Sequence, residues 1–358
     1  MKILADASLP GLSALFASPC TLTTYTTTAQ LHGLLATHEV LICRSTLKID
    51  QQLLAGTPIS CVASASSGID HIDSDYLQRQ GITLFDAKGC NAASVADYVV
   101  ATVALLQQQK ILIGIKAGVI GYGEVGRRVA ARLRAAGFEV VCFDPLRALE
   151  DNSQPYCVLG DLLRCDLLSI HANLHETLPF PSKNLLDKAF LRQLKQGITI
   201  INAARGGIVN EQALLQAPQL ITYCTDVYAH EPAIAAPVVA FSTLCTPHIA
   251  GHSIESKYAA VVQLSQKIHD HYKIPMPTLT AAEKTYPLPA QANWQDYVLA
   301  IYNPLVETQH LKAAVDKKHA FLALRQAHSN RHDFIRYDAS QLEPQARILL
   351  GQNPSSEF

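Results

Sequence analysis

The sequence predicts an α/β protein made of two doubly wound parallel-sheet domains with a cleft between them, plus a small C-terminal α+β segment. Three observations predict it. Short apolar runs alternate with helix-forming stretches through residues 1–94 and again from 117 to 227. A glycine-spaced turn at Gly121, Gly123 and Gly126 joins an apolar run to an amphipathic stretch. Composition then shifts over 274–291, where Pro275, Pro277, Pro287 and Pro289 break any helix. These signals divide the chain into residues 1–94 (joined by a returning helix over 255–275), 95–254 and 276–358.

In the first part, Lys2–Ala5, Glu39–Cys43, Ile59–Ala63 and Ile82–Phe85 read as strands, with helices near 9–17, 29–37, 50–54 and 73–80. Polar residues follow two of these strands: Arg44-Ser45-Thr46, and Ser64-Ala65-Ser66-Ser67-Gly68. Ligands of open parallel sheets bind beyond the carboxyl ends of strands. Small hydroxyl residues beside glycine expose N–H groups that can form an anion nest, though the same residues are also ordinary turn formers.

Asn91 to Gln109 carries Val95, Tyr98, Val99, Thr102, Leu105 and Leu106 at helical spacing. After it comes AGVIGYGEVGRRVAARLRAAGFEVVCFD. Val119-Ile120 ends a buried strand. Gly121 permits a tight turn, Gly123 lets backbone approach a pyrophosphate, and Gly126 lets helix pack on strand. Glu124 and Val125 open that helix and join the candidate cofactor contacts. The helix buries Val125, Val129, Ala130 and Leu133, points its arginines away, and ends at Gly137. A second strand, Phe138–Phe143, delivers Asp144 roughly 20 residues beyond the turn, where a carboxylate receives the ribose hydroxyls of NAD and repels a 2′-phosphate. Arg147 stands nearby. The order strand, turn, helix, strand, acid is that of a Rossmann-like nucleotide unit. Strands at Leu167–Ile170, Ile198–Asn202 and Leu220–Val227 continue the sheet, with helices around 185–194 and from Glu211, and Glu255–Tyr272 forms the returning helix.

Bulk properties exclude several classes. A formal charge of −1 with 16% charged residues gives no electrostatic case for nucleic acid or an anionic membrane. No apolar run approaches the ~18 residues of a membrane span. Met1-Lys2-Ile3-Leu4 leads into a strand and not a signal peptide. Nine scattered cysteines without C-x-x-C, and fourteen histidines without H-E-x-x-H, read as a reduced cytoplasmic chain with no metal site.

Three segments at strand ends supply a cation, carboxylates and an imidazole: Asn202-Ala-Ala-Arg205-Gly206-Gly207, Asp226-Val-Tyr-Ala-His-Glu231-Pro232, and Thr246-Pro-His248-Ile-Ala-Gly251-His252. Singly each has a structural explanation; together they form the set that hydride transfer from a 2-hydroxy acid requires. His248 takes the hydroxyl proton, and Glu231 fixes its tautomer. Arg205 grips the substrate carboxylate with a planar fork, and Asp226 sits where it can hold the nicotinamide carboxamide.

GVIGYGEVGRRVA, NAARGGIVN, DVYAHEP and TPHIAG, in that order and spacing, closely resemble the D-isomer-specific 2-hydroxyacid dehydrogenase family. A closer resemblance, carried by MKILAD, ICRSTLKID, SASSGIDHID, KGCNAASVADYV and a C-terminal FLALRQAHSNRHDF, is to its members that act on a phosphorylated four-carbon acid. The match spans nearly the whole chain and is weakest over 145–160 and 275–358. It implies a cytoplasmic homodimer held by the C-terminal segment. It also implies oxidation of 4-phospho-D-erythronate to (R)-3-hydroxy-2-oxo-4-phosphooxybutanoate with NAD, a step of pyridoxal 5′-phosphate (vitamin B6) biosynthesis. The resemblance carries catalysis to Arg205, Glu231 and His248, NAD contacts to Asp144, Asp226 and Gly251, and substrate contacts to Ser45 and Ser66, with Ser67 and Gly68 in the same loop. His252 stands where the family usually has a substrate-contacting tyrosine, and Ala172 where a threonine often meets NAD. The substrate phosphate calls for cations, and Arg44, or an arginine such as Arg331 reaching across a dimer, would supply one. Other dehydrogenases of the family, acting on 3-phosphoglycerate, glycerate or lactate, are the nearest rivals, although 292–358 lacks the βαββαβ rhythm of an amino-acid-sensing domain. A non-catalytic NAD-sensing protein is the rival from another class.

Overall fold

The computed structural model describes residues 1–151, 155–278, 284–328 and 330–352. In chain order the elements are β1 (Lys2–Asp6), α1 (Leu12–Leu15), β2 (Thr21–Tyr25), α2 (Thr28–Leu35), β3 (Val40–Cys43), α3 (Gln51–Leu54), β4 (Cys61–Ser64), α4 (Ser74–Arg79) and β5 (Thr83–Asp86). There follow α5 (Ala92–Gln108), β6 (Lys116–Ile120), α6 (Glu124–Ala135), β7 (Glu139–Phe143), β8 (Leu167–Ile170), α7 (Lys188–Leu191), β9 (Ile198–Asn202), α8 (Glu211–Leu215), β10 (Ile221–Thr225), α9 (Ala236–Phe241) and β11 (Leu244–Cys245). The long α10 (Ile254–Tyr272) precedes α11 (Trp294–Ile301), α12 (Leu305–Ala313), α13 (Lys317–Ala327) and α14 (Pro344–Leu349). The chain divides into two compact units: Met1–Asn91 with Ser253–Lys284, and Ala92–His252 with Thr285–Phe358.

In the first unit five parallel strands run in the order β2-β1-β3-β4-β5. β3 and β4 are buried at every position, as central parallel strands covered on both faces must be. β2, Thr-Leu-Thr-Thr-Tyr, is an edge strand with only Tyr25 fully buried, so no apolar run announced it. α10 belongs to this unit: Ala260, Val261, Leu264 and Ile268 share a core with Ile3, Val40 and Ala63. Its start is capped reciprocally by Ser253 and Ser256.

The second unit has six parallel strands in the order β11-β10-β9-β8-β6-β7. α5 is buried on nearly every side from Ala92 to Leu106. α6 buries Val129, Ala130 and Leu133 as its periodicity predicts, but not all its arginines face away. Arg132 is buried and pairs with the fully buried Asp97 of α5.

That pair explains the placement of the C-terminal residues. The other oxygen of Asp97 accepts the Phe334 N–H at 2.8 Å. Ser94 donates to Asp333 at 2.6 Å, while Phe334, Leu349 and Leu350 are buried in the α5/α6 core. The segment expected as a separate α+β piece is thus part of the second unit. Its described residues form helices, a 3₁₀ turn and one isolated bridge, Tyr286 with Tyr337, and no strand. Its apolar side chains fill the core of the neighbouring sheet domain and need no sheet of their own.

Because Asp97 neutralises a cation that water cannot reach, Asp97→Ala is expected to cost about 3–5 kcal/mol by stranding Arg132. Urea unfolding should show a lower midpoint at a similar slope.

Candidate active site

Every residue singled out in the second sheet lies just past the carboxyl end of a strand, on the side where open α/β sheets bind ligands. Gly121 follows β6 with φ +86°, and a side chain there would run into the backbone of His171 and Ala172 after β8. A side chain on Gly126 would overlap the Gly121 carbonyl oxygen, so glycine at both positions lets α6 close on the turn. Gly123 is different: a side chain there would meet nothing within 4 Å. It is the N-cap of α6 and offers no side-chain cap, which leaves the first-turn N–H groups for an anion. Asp144 after β7 is half-buried and accepts from Tyr122 N at 2.8 Å and Arg147 N at 3.1 Å. It thereby ties the glycine turn to the next strand and keeps lone pairs for ribose hydroxyls. These features fit a dinucleotide. The Glu124 side chain is taken up by Arg127 and Arg128 at 2.5 and 2.8 Å and its carbonyl accepts from Arg128 at 2.7 Å, so what it can offer a ligand is its backbone N–H. Val125 packs against the core.

The chemistry-bearing loops follow β9, β10 and β11. At the end of β9, Asn202 accepts from Ala204 N at 3.2 Å and donates to Arg205 O at 3.0 Å, fixing the turn that carries Arg205, whose guanidinium donates to Ala204 O at 2.8 Å. Gly206 lies so close to the β10 loop that a Cβ there would overlap the Tyr228 carbonyl. After β10, Asp226 is 1% exposed. Its Oδ1 accepts from Thr246 Oγ1 at 2.7 Å and Ile249 N at 2.8 Å, and its Oδ2 from Ala250 N at 2.8 Å. Burial raises the Asp226 pKa despite these donors and the charge of His248. The residue expected beside the nicotinamide thus also pins the loop that carries His248. Tyr98 of α5 and Tyr228 complete the network on Thr246, at 2.8 and 3.1 Å.

His248 has φ +56°, a left-handed conformation uncommon for a residue with a side chain. The bonds to Asp226 and the His252 N–H to Ile249 O, 2.8 Å, hold it there. Its Nδ1 lies 2.6 Å from Glu231 Oε2, and Glu231 Oε1 accepts from Tyr228 N at 2.9 Å. Burial alone would raise the Glu231 pKa. The charge and hydrogen bond of His248, the Tyr228 N–H and Arg325 outweigh it and hold the carboxyl below its usual range. An ionised carboxylate only accepts, so Nδ1 carries the hydrogen toward Glu231, and in the neutral ring the lone pair is on Nε2. The loops of Arg205, Glu231 and His248 are therefore joined through Gly206–Tyr228 and Glu231–His248. Gly251 and His252 close the His248 loop, and Ala172 sits against Gly121.

In the first unit, Arg44 and Ser45 follow β3 and are exposed. Arg44 Nε donates to Asp6 Oδ2 at 2.8 Å, and Asp6 accepts from Ser8 at 2.6 Å. The loop after β4 is held twice: Ser66 donates to Gly68 O at 2.7 Å within the loop, and Ser67 accepts from Gly89 N, in the turn after β5, at 3.2 Å. Burial and the charge of Arg44 hold the Lys257 ammonium of α10 below its usual range. Lys257 was missed by sequence reasoning, since a lysine in an amphipathic helix reads as a solvated face. Arg331 is a correction. It is 7% exposed, donates to Ser94 O and Ala250 O at 3.0 and 2.5 Å, and stacks 4.7 Å over Tyr302, so it is a core residue of its own chain and no free cation for a partner's substrate.

Residues 94–250 match the family model described as D-isomer specific 2-hydroxyacid dehydrogenase, NAD binding domain. Over 337 residues the chain is 51% identical to the erythronate-4-phosphate dehydrogenase of Legionella pneumophila (strain Lens), covering 94% of this chain and 96% of the relative. It is 35% identical to that of Coxiella burnetii (strain RSA 331 / Henzerling II) over 98% of this chain and 97% of the relative. Among solved structures, the NAD⁺-bound 3-phosphoglycerate dehydrogenase of Entamoeba histolytica superposes with a TM-score of 0.62 at 21% identity, over 76% of this chain and 95% of that one, a likeness of fold alone.

Proposed function

The chain belongs to the D-isomer-specific 2-hydroxyacid dehydrogenases, and from that premise we propose that it oxidises 4-phospho-D-erythronate to (R)-3-hydroxy-2-oxo-4-phosphooxybutanoate, as the names of its relatives indicate. It is an NAD-dependent oxidoreductase. NAD, when bound, supplies the hydride acceptor. The observation that carries the reading is the Glu231–His248 bond, which leaves Nε2 as a base beyond the strand ends of a nucleotide-binding sheet. In the forward direction the C2 hydroxyl proton passes to Nε2, and the Glu231 carboxylate stabilises the imidazolium that forms. Arg205 binds the substrate carboxylate and the developing carbonyl oxygen through its fork. Asp226 orients the His248 loop and is assigned the nicotinamide carboxamide.

Substrate contacts are assigned to Ser45, Ser66, Ser67, Gly68 and His252. The phosphate is assigned to Arg44, aimed by Asp6, with Lys257 as a second cation in the same electrostatic neighbourhood. A cytoplasmic location and a place in pyridoxal 5′-phosphate formation go with this substrate. A homodimer through the C-terminal residues is supported by apolar side chains left exposed there, including Leu322, Ile335 and Val315.

Purified protein given NAD and a panel of phosphorylated and plain 2-hydroxy acids, with and without a 2-oxo acid as final electron acceptor, should turn over 4-phospho-D-erythronate best. NAD binding without turnover of any member would instead support a sensing role. His248→Asn should lower kcat by roughly 10²–10⁴-fold, the scale of a general base, with NAD affinity within a few-fold. Arg44→Ala should raise KM for the phosphorylated acid by roughly 10–100-fold, the worth of a charge-assisted hydrogen bond, and barely affect an unphosphorylated one. Equal losses on both would remove Arg44 from the phosphate site. Sedimentation equilibrium should give about twice the chain mass of 38.9 kDa; a monomer at micromolar concentration would refute the dimer.

A further inference from the structure

Two residues one helical turn apart on α13 address the loop that carries Glu231. Phe321, 2% exposed, sets its ring edge-on to Tyr228 with centroids 6.0 Å apart, and Tyr228 is the residue whose N–H holds Glu231 Oε1. Arg325 follows at i+4, on the same helix face. Its NH1 lies 4.0 Å from Glu231 Oε2, the oxygen that also meets His248 Nδ1. Both side chains are largely withdrawn from water, at 23% and 21% exposure, so their attraction is screened less than that of a surface pair.

We propose that Arg325 is a positioning residue for the Glu231–His248 pair, so that the C-terminal segment tunes the proton-transfer group of its own chain besides any part in assembly. This rests on the dehydrogenase reading above. The cation shares the carboxylate with the imidazole: it keeps Glu231 ionised and aimed at Nδ1, and it weakens the pull of that carboxylate on a protonated ring. Removing the charge leaves the carboxylate to the imidazolium alone, so His248 holds its proton to higher pH. The other charged groups facing the pair are Asp226 beneath His248, Glu211 of α8, which binds Ala229 N at 2.9 Å, and His230 in the same loop.

The test compares Arg325→Met, which keeps most of the stem, with Arg325→Lys, which keeps the charge. In Arg325→Met the acid limb of kcat/KM for hydroxy-acid oxidation should move up by roughly 0.5–1 pH unit, with KM at the pH optimum changed less than about threefold. Arg325→Lys should restore most of the shift, and in a Glu231→Gln background Arg325→Met should move the limb no further. NMR titration of the His248 ring in the same variants reads the same shift without turnover. A protein inactive on every hydroxy acid would therefore sink the dehydrogenase reading and leave this one decided by the titration. A limb and a ring titration that stay at the wild-type pH in Arg325→Met, or a lysine variant indistinguishable from methionine, would overturn the proposal.

Discussion

The 2.6 Å bond between His248 Nδ1 and Glu231 Oε2 decides what the second sheet can do. It selects the tautomer of the neutral ring, turns Nε2 away from the carboxylate, and requires two loops from different strands to meet within a few tenths of an ångström. That precision is built from beneath. Asp226 ends β10, and its buried carboxylate collects two N–H groups and a hydroxyl from the β11 loop, forcing His248 into a left-handed turn. Such a conformation costs on the order of 1–3 kcal/mol and persists only where its surroundings over-determine it. Here the over-determination is visible bond by bond, so the unusual φ of His248 follows from how Asp226 holds its loop.

The C-terminal residues enter the same economy of buried charge. Asp97 cancels Arg132 and binds the Phe334 N–H, while Asp333 takes Ser94. A polar backbone group in an apolar core is costly unless bonded. The bonds at Phe334 therefore fix where the segment docks, and Val298, Phe334, Leu349 and Leu350 bury their side chains there. Helices α11 and α14 lie on α5 and α6, and α12 and α13 reach the β10–β11 side, where Thr308 donates nothing to solvent but accepts the Cys245 N–H at 3.0 Å. Docked this way, a segment remote in sequence supplies packing to Tyr228 and charge to Glu231.

How much of this was legible depends on the range of the interaction involved. The glycine turn, Asp144, and the Arg205, Glu231 and His248 loops could be read because their chemistry is local: a fixed spacing after an apolar run puts a given atom at a strand end. The central strands could be read for a similar reason, since parallel strands buried on both faces become continuous apolar runs. β2 could not, because a threonine-rich edge strand has one polar face, and two-residue β11 is too short for any period. Arg132 and Arg331 carry charge that normally marks a solvated face, and nothing nearby in sequence announces Asp97, or the Tyr302 ring and Ala250 carbonyl that receive Arg331. Arg325 is harder still, because its partner is 94 positions away in the chain and on the other side of a proline-rich stretch.

The two sheets share a strand order in their first members, with the second strand on the edge and the first beside the third. That arrangement opens a crevice between the first and third strands, and each unit fills it differently. In the second unit it lies between β6 and β8, where Gly121 presses on Ala172 and only backbone fits, so the groups offered there are N–H donors at the uncapped start of α6. In the first unit it lies between β1 and β3, and side chains occupy it: Asp6 ends one strand and Arg44 follows the other. Burial pushes the Asp6 carboxyl up, but Ser8 and Arg44 more than offset this and hold it ionised. A guanidinium fixed through Nε by a buried carboxylate keeps its two terminal nitrogens for a ligand, in one orientation. An uncapped helix end prefers a diphosphate that runs along the backbone, whereas a single aimed fork prefers a compact tetrahedral or planar anion. One topology thus frames an uncapped helix end in one unit and an aimed guanidinium in the other, and the difference comes down to whether glycine or arginine stands beside the switch point.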